Sequence, residues 1–172
     1  KFKSYSDTEV ILASYIYYGN DFLKKLNGIF AFAIYDSKNE QIILARDQMG
    51  VKPLFYSIID KELIFASEIK AILKHPKVKP VVDKEGLTAL FSLGPAVKPG
   101  TCVYRDIKEL KPAEYFIFKK DMIRIDKYWN LEAKPHNETL EETIYHTRNL
   151  LIDAVKRQLV GDVPLCTFLS GG

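Results

Sequence analysis

Apolar positions along the chain follow two rhythms. After Ser6 they recur at helical spacing, through Val10, Ile11, Ser14, Tyr15 and Tyr18. Ser6 stands where a cap is needed and Glu9 follows three residues later, the spacing of a reciprocal capping box. Gly19 suits the left-handed residue that stops a helix. A short helical turn is expected around Phe22 and Leu23, before the turn dipeptide Asn27-Gly28. The rhythm then shortens to two. Residues 29–35 alternate large and small apolar side chains, and residues 41–45 follow the polar turn Asp36-Ser37-Lys38-Asn39. Residues 53–58 and 62–66 flank Asp60-Lys61. Four short segments rich in Ile, Phe and Tyr predict strands joined as an antiparallel meander. The run from Ile29 to Ile34 is apolar at every position, which predicts a sheet covered on both faces.

Ser67-Glu68 opens a short helix through Leu73, and His75-Pro76 ends it, because the residue before proline disfavours helical geometry. Asp83 is placed to cap a second helix reaching about Leu93. Residues 115–118 and 122–125 predict two more strands around the turn Lys119-Lys120-Asp121. Residues 131–138 are polar, contain Pro135 and lack periodicity, as a linker would. Thr139 and Glu142 form a second capping-box pair before a long helix. Leu140, Ile144, Thr147, Leu151, Ala154, Val155 and Leu159 share one face of it, and Gly161 is its expected end. Residues 163–169 predict a buried strand. The organisation expected is therefore a β-rich domain over 1–130, a linker over 131–138, and the opening of a second domain over 139–172.

Composition narrows the classes. The 172 residues are 47% hydrophobic and 27% charged, the ordinary mix of a globular protein, which excludes a disordered tail or a fibre. A net charge of +3 gives no electrostatic case for nucleic acid or an anionic membrane. No apolar run approaches the roughly 20 residues of a membrane-spanning helix. The opening residues read as neither a signal nor a transit peptide. Cys102 and Cys166 lie in strand-like contexts without a neighbouring base, so both are expected to be structural thiols of a reducing cytoplasm. His75, His136 and His146 have no metal-binding spacing.

Three segments offer chemistry. Leu169-Ser170-Gly171-Gly172 ends an apolar strand in small residues, where backbone N–H groups could approach phosphate oxygens. A plain glycine turn at the end of a strand is the competing reading. The stretch Arg46 to Tyr56 sits between two strands, with Arg46 and Asp47 placed for an ion pair, Gly50 for a tight bend and Pro53 at a strand entrance. A structured connection with no chemistry is the competing reading. Asp7 lies in the first turn of the first helix, where a carboxylate offsets the positive helix end by roughly 0.3–1 kcal/mol. Alternatively it faces a cleft and meets a ligand's ammonium group.

In order along the chain, four motifs resemble the glutamine-hydrolysing asparagine synthetases. They are Ser6-Asp7-Thr8-Glu9-Val10-Ile11, Leu26-Asn27-Gly28 through Tyr35-Asp36, Arg46-Asp47 through Gly50-Val51-Lys52-Pro53-Leu54-Phe55-Tyr56 with Phe65-Ala66-Ser67-Glu68, and Asp162-Val163-Pro164 through Leu169-Ser170-Gly171-Gly172. The resemblance implies an α+β fold: part of a class II amidotransferase, an Ntn-hydrolase-like αββα sandwich of antiparallel sheets, followed by the start of an α/β nucleotide-binding synthetase domain. It implies a parent enzyme that takes ammonia from glutamine, activates aspartate with ATP and Mg²⁺, and forms asparagine, AMP and pyrophosphate. It implies a cytoplasmic homodimer with small-molecule substrates and no nucleic-acid or membrane partner. Asp7 matches the family aspartate that holds the glutamine α-amino group. Leu169, Ser170, Gly171 and Gly172 match the opening of the ATP site. The family's nucleophile is an amino-terminal cysteine. Residue 1 here is Lys1 and the first cysteine is Cys102, so the chain is expected to be an inactive interior fragment that self-associates. Another class II amidotransferase, a β-lactam synthetase-like ligase and a non-catalytic module on the same fold are the alternatives.

Overall fold

The computed structural model describes residues 2–93, 98–120, 122–161, 164 and 166. The chain divides into two compact units, Lys1–Leu131 and Glu132–Gly172.

In the first unit, helix α1 spans Asp7–Tyr18. The Ser6 side chain accepts the Thr8 N–H at 3.2 Å, as a cap should. Glu9 does not complete the reciprocal box, because Ser4 Oγ already accepts the Ser6 N–H. The Glu9 carboxylate instead accepts the N–H groups of Lys3 and Ser4 and the Ser4 hydroxyl, at 2.6–3.0 Å. Those bonds hold its carboxyl below the usual range, the Ser4 hydroxyl contributing most. Gly19, at φ +56°, ends the helix and donates its N–H to the Tyr15 carbonyl. A 3₁₀ helix over Gly19–Lys25 then drives Phe22 and Leu23 into the core.

Strands β1 (Ala31–Asp36) and β2 (Gln41–Arg46) form one antiparallel hairpin, and β3 (Phe55–Ile59) and β4 (Glu62–Ala66) another. Helices α2 (Ile69–Ile72) and α3 (Lys84–Leu93) follow. A two-residue strand β5 (Lys108–Glu109) precedes the hairpin of β6 (Glu114–Lys119) and β7 (Met122–Lys127). Asp121, expected in that hairpin's turn, lies outside the described residues.

The expected meander does not form. β2 pairs with β6, from Gln41 opposite Lys119 to Ala45 opposite Tyr115, giving a sheet in the order β1-β2-β6-β7. β3 pairs with β4 and β5 in a second sheet, ordered β4-β3-β5. Residues 47–54 carry the chain from the first sheet to the second.

Alternation along the strands shows how the layers stack. Ile43 and Ala45 of β2, with Tyr115 and Ile117 of β6, pack on Phe22, Leu23, Ile11 and Tyr15. Their neighbours Ile42, Leu44, Phe116 and Phe118 face Leu54 at the end of the crossing and Tyr56, Ile58 and Leu63 of the second sheet. Phe55, Ile59, Ile64 and Ala66 then turn to Ile72, Val78, Cys102 and Ile107. One helical layer, two antiparallel sheets and a second helical layer therefore lie in succession, an α+β sandwich. β1 is covered along one face by Phe32 and Ile34. On the other only Ala31 is packed, and Ala33 and Tyr35 are exposed because β1 is an edge strand.

In the second unit, helix α4 spans Leu140–Gln158 with the Thr139–Glu142 capping box fully formed. The helix stops with Leu159 at its cap, before Gly161 is reached. Leu140, Ile144, Leu151 and Val155 are exposed. Of the expected strand 163–169, only Pro164 and Cys166 are described; both are irregular, and Cys166 is exposed rather than buried. No helix among the described residues is long and apolar enough to cross a membrane.

Candidate functional site

Asp7 sits at the start of α1, where the cap and the Glu9 clamp fix the incoming chain. Its side chain is exposed and makes no hydrogen bond or ion pair with the described residues. It is thus an available acceptor in the first turn of the helix. The candidate phosphate-loop residues Leu169, Ser170, Gly171 and Gly172 lie outside the described residues.

Two turns along α1 stands a network that the sequence reading missed. The Tyr15 hydroxyl donates to Asp36 Oδ2 at 2.6 Å and accepts from Gln41 Nε2 at 2.9 Å. Asn39 donates its side-chain amide to Asp36 Oδ2 at 2.7 Å and its backbone N–H to Oδ1 at 3.0 Å. The Tyr15 hydrogen bond, then those of Asn39, lower the Asp36 carboxyl to about 2. Burial, then Asp36, pushes the Tyr15 phenol up, so it remains a donor at neutral pH.

A carboxyl depressed on folding adds stability that is fully present above its unfolded value, about 3.9, and is lost as pH falls through its folded value. The Asp36 contribution is therefore expected to disappear between about pH 4 and pH 2. Urea unfolding followed across that range should show a flatter pH dependence for Asp36→Asn than for the wild type. Equal slopes would remove Asp36 from the acid response.

The Arg46–Tyr56 stretch is a structured crossing. Arg46 and Asp47 are both buried, but they do not pair with each other, because successive residues point to opposite sides of the chain. The Arg46 guanidinium pairs with Glu109 at 2.9 Å. It also donates to the carbonyls of Gly50, Lys52 and Leu110 at 2.6–2.8 Å. The Asp47 carboxylate accepts the N–H groups of Met49, Val51 and Lys52 at 2.9–3.2 Å. Tyr128 donates its hydroxyl to the Arg46 carbonyl at 2.7 Å. Burial first, then the Asp47 charge, pushes that phenol far up. Gly50 adopts φ +67°, and a Cβ there would come within 2.7 Å of the Pro112 ring. The Arg46 and Asp47 side chains thus hold the crossing together and join it to β5.

A cleft of about 290 Å³ opens at β3 and is lined by Tyr56, Ser57, Ile58, Arg105, Asp106 and Lys108. Of the sequence-derived candidate segments among the described residues, only the Arg46–Tyr56 stretch reaches it, through its last residue Tyr56, and Asp7 does not line it. Among the described residues, no three His, Cys, Asp or Glu side chains converge as a metal site would require.

Comparison with known proteins decides what kind of scaffold this is. The family model of the glutamine amidotransferase domain matches residues 1–129. The chain belongs to that family. A second family model, asparagine synthase, matches residues 146–172. Over 172 residues the amidotransferase chain is 50% identical to glutamine-hydrolysing asparagine synthetase 3 of Bacillus subtilis, covering 100% of this chain and 28% of that protein. It is 37% identical to a putative glutamine-hydrolysing asparagine synthetase 2 of Methanocaldococcus jannaschii, covering 97% of this chain and 33% of that protein. The chain thus spans about a third or less of these relatives. In architecture it matches the glutamine phosphoribosylpyrophosphate amidotransferase of B. subtilis, with a TM-score of 0.51 at 21% identity over 75% of this chain and 24% of that one. That match shows the same α+β sandwich fold.

Proposed function

We propose that the chain is part of a glutamine-hydrolysing asparagine synthetase, with residues 1–130 in its amidotransferase domain, 131–138 as linker and 139–172 opening its synthetase domain. The observation that supports this reading is the succession of two family matches, amidotransferase then asparagine synthase, on one chain. In this reading the first domain releases ammonia from glutamine. The second uses ATP and Mg²⁺ to activate aspartate, which ammonia then converts to asparagine with release of AMP. Leu169, Ser170, Gly171 and Gly172 belong to the ATP loop. Among the described residues no three His, Cys, Asp or Glu side chains converge to hold that magnesium. The reading extends to a cytoplasmic homodimer whose partners are small molecules.

Asp7 is assigned the glutamine α-amino group. An exposed carboxylate with no partner among the described residues suits an ammonium ligand. Steady-state kinetics of the full-length enzyme provide the test, with pyrophosphate release required to depend on aspartate. Asp7→Asn is expected to raise the KM for glutamine about tenfold to a hundredfold, the loss of one charge-assisted hydrogen bond. Pyrophosphate release without aspartate, or an unchanged KM, would count against the respective half of the reading.

A further inference from the structure

We propose that Tyr15 is a positioning residue for glutamine recognition, fixing the axis of α1 through the β1–β2 turn and thereby the place from which Asp7 meets the substrate. The proposal rests on the assignment of Asp7 given above.

Helix α1 is lightly attached. It contains no buried residue, and only Ile11 and Tyr15 of it pack on the core cluster beneath. The Glu9 clamp binds Lys3 and Ser4, so it organises the entering chain but does not tie α1 to a sheet. Tyr15 does. Its ring meets the buried Phe22 ring edge-on at 5.4 Å. Its hydroxyl joins Asp36 at the end of β1 to Gln41 at the start of β2. Asn39 in the turn between them holds Asp36 in place. One phenol therefore registers the helix against both strands of the hairpin.

Asp7 lies eight residues before Tyr15, about 12 Å along the axis at 1.5 Å per residue. A rod fastened near one end moves most at the other. A tilt of about 5° would displace Asp7 by about 1 Å, enough to cost up to about a hundredfold in a positioned reaction. Tyr15 touches no substrate in this scheme. It acts through Asp7 alone.

The experiment is a kinetic cycle in the full-length enzyme with Tyr15→Phe, Asp7→Asn and the double variant. Phenylalanine keeps the ring packed and removes the hydroxyl. Tyr15→Phe is expected to raise the KM for glutamine about tenfold with kcat within about twofold. The double variant is expected to match Asp7→Asn alone, because the hydroxyl has nothing left to position. Asp36→Asn keeps an acceptor for the phenol and should give an intermediate KM. It also probes the same bond from its other end should Tyr15→Phe fold poorly. The proposal is overturned if Asp7→Asn raises KM while Tyr15→Phe does not, or if the two effects add. If Asp7→Asn itself leaves KM unchanged, the assignment of Asp7 fails and the proposal falls with it, an outcome distinct from failure of the Tyr15 bond.

Discussion

Replacing Arg46 with alanine is expected to cost about 3–5 kcal/mol of folding stability, the range for removing one partner of a buried ion pair. The change leaves the largely buried Glu109 carboxylate without its cation and strips three carbonyls of a donor. Those carbonyls belong to Gly50 and Lys52 in the crossing and to Leu110 beside β5, so the damage spans both sheets. Lysine keeps the charge but offers one ammonium where a planar fork now reaches four acceptors. Arg46→Lys should therefore lose most of the same stability. Converting Glu109 to glutamine in the alanine background removes the stranded charge and should recover part of the loss. Urea denaturation of the 172-residue chain measures all three variants. A loss below about 1 kcal/mol for Arg46→Ala would show that the crossing is held by other means.

Phe116→Ala is expected to cost a similar amount, about 3–5 kcal/mol, for a different reason. Phe116 is 0% exposed and lies between the two sheets, packed with Leu44, Leu54, Tyr56 and Leu110. Its ring sits 4.8 Å from that of Tyr56, centroid to centroid. Both sheets are bounded by hydrogen-bonded ladders, so neither can move in to fill the cavity. Phe116→Leu leaves a smaller void and should cost about half as much. Thermal unfolding would test the pair. Equal melting temperatures for the two variants would mean that the interface relaxes around the gap.

Local signals in the sequence located most elements. Ser6 and Gly19 bracket α1, Thr139 and Glu142 cap α4, and the polar turns separate the paired strands. What local signals do not carry is partner choice. β2 and β3 alternate as neighbours in a meander would, yet they belong to different sheets. The deciding feature is the fold of residues 47–54 around Arg46 and Asp47, whose acceptors and donors include Leu110 far along the chain. β5 escaped notice because two residues are too few for a rhythm. Gly161 is a false stop signal, because α4 ends at Gln158, immediately after the basic pair Lys156-Arg157. In the candidate site, Asp7 stands at the first turn, where its position after Ser6 puts it. By local pattern Tyr15 is a helix residue and Asp36 a turn residue, since a pairing across 21 positions leaves no periodic trace.

The pairing of β2 with β6 also sets a schedule for synthesis. The β1–β2 hairpin leaves the ribosome long before its neighbour, since Ala45 must wait for Tyr115 and Gln41 for Lys119. At about 5–20 residues per second the interval is roughly 4–14 s. For that time the β2 edge, with Ile42, Ile43 and Leu44, has no strand beside it, while β3 and β4 can already close on each other. The nascent chain thus completes its second hairpin before its first sheet, and the early edge is the one a chaperone would have to shield.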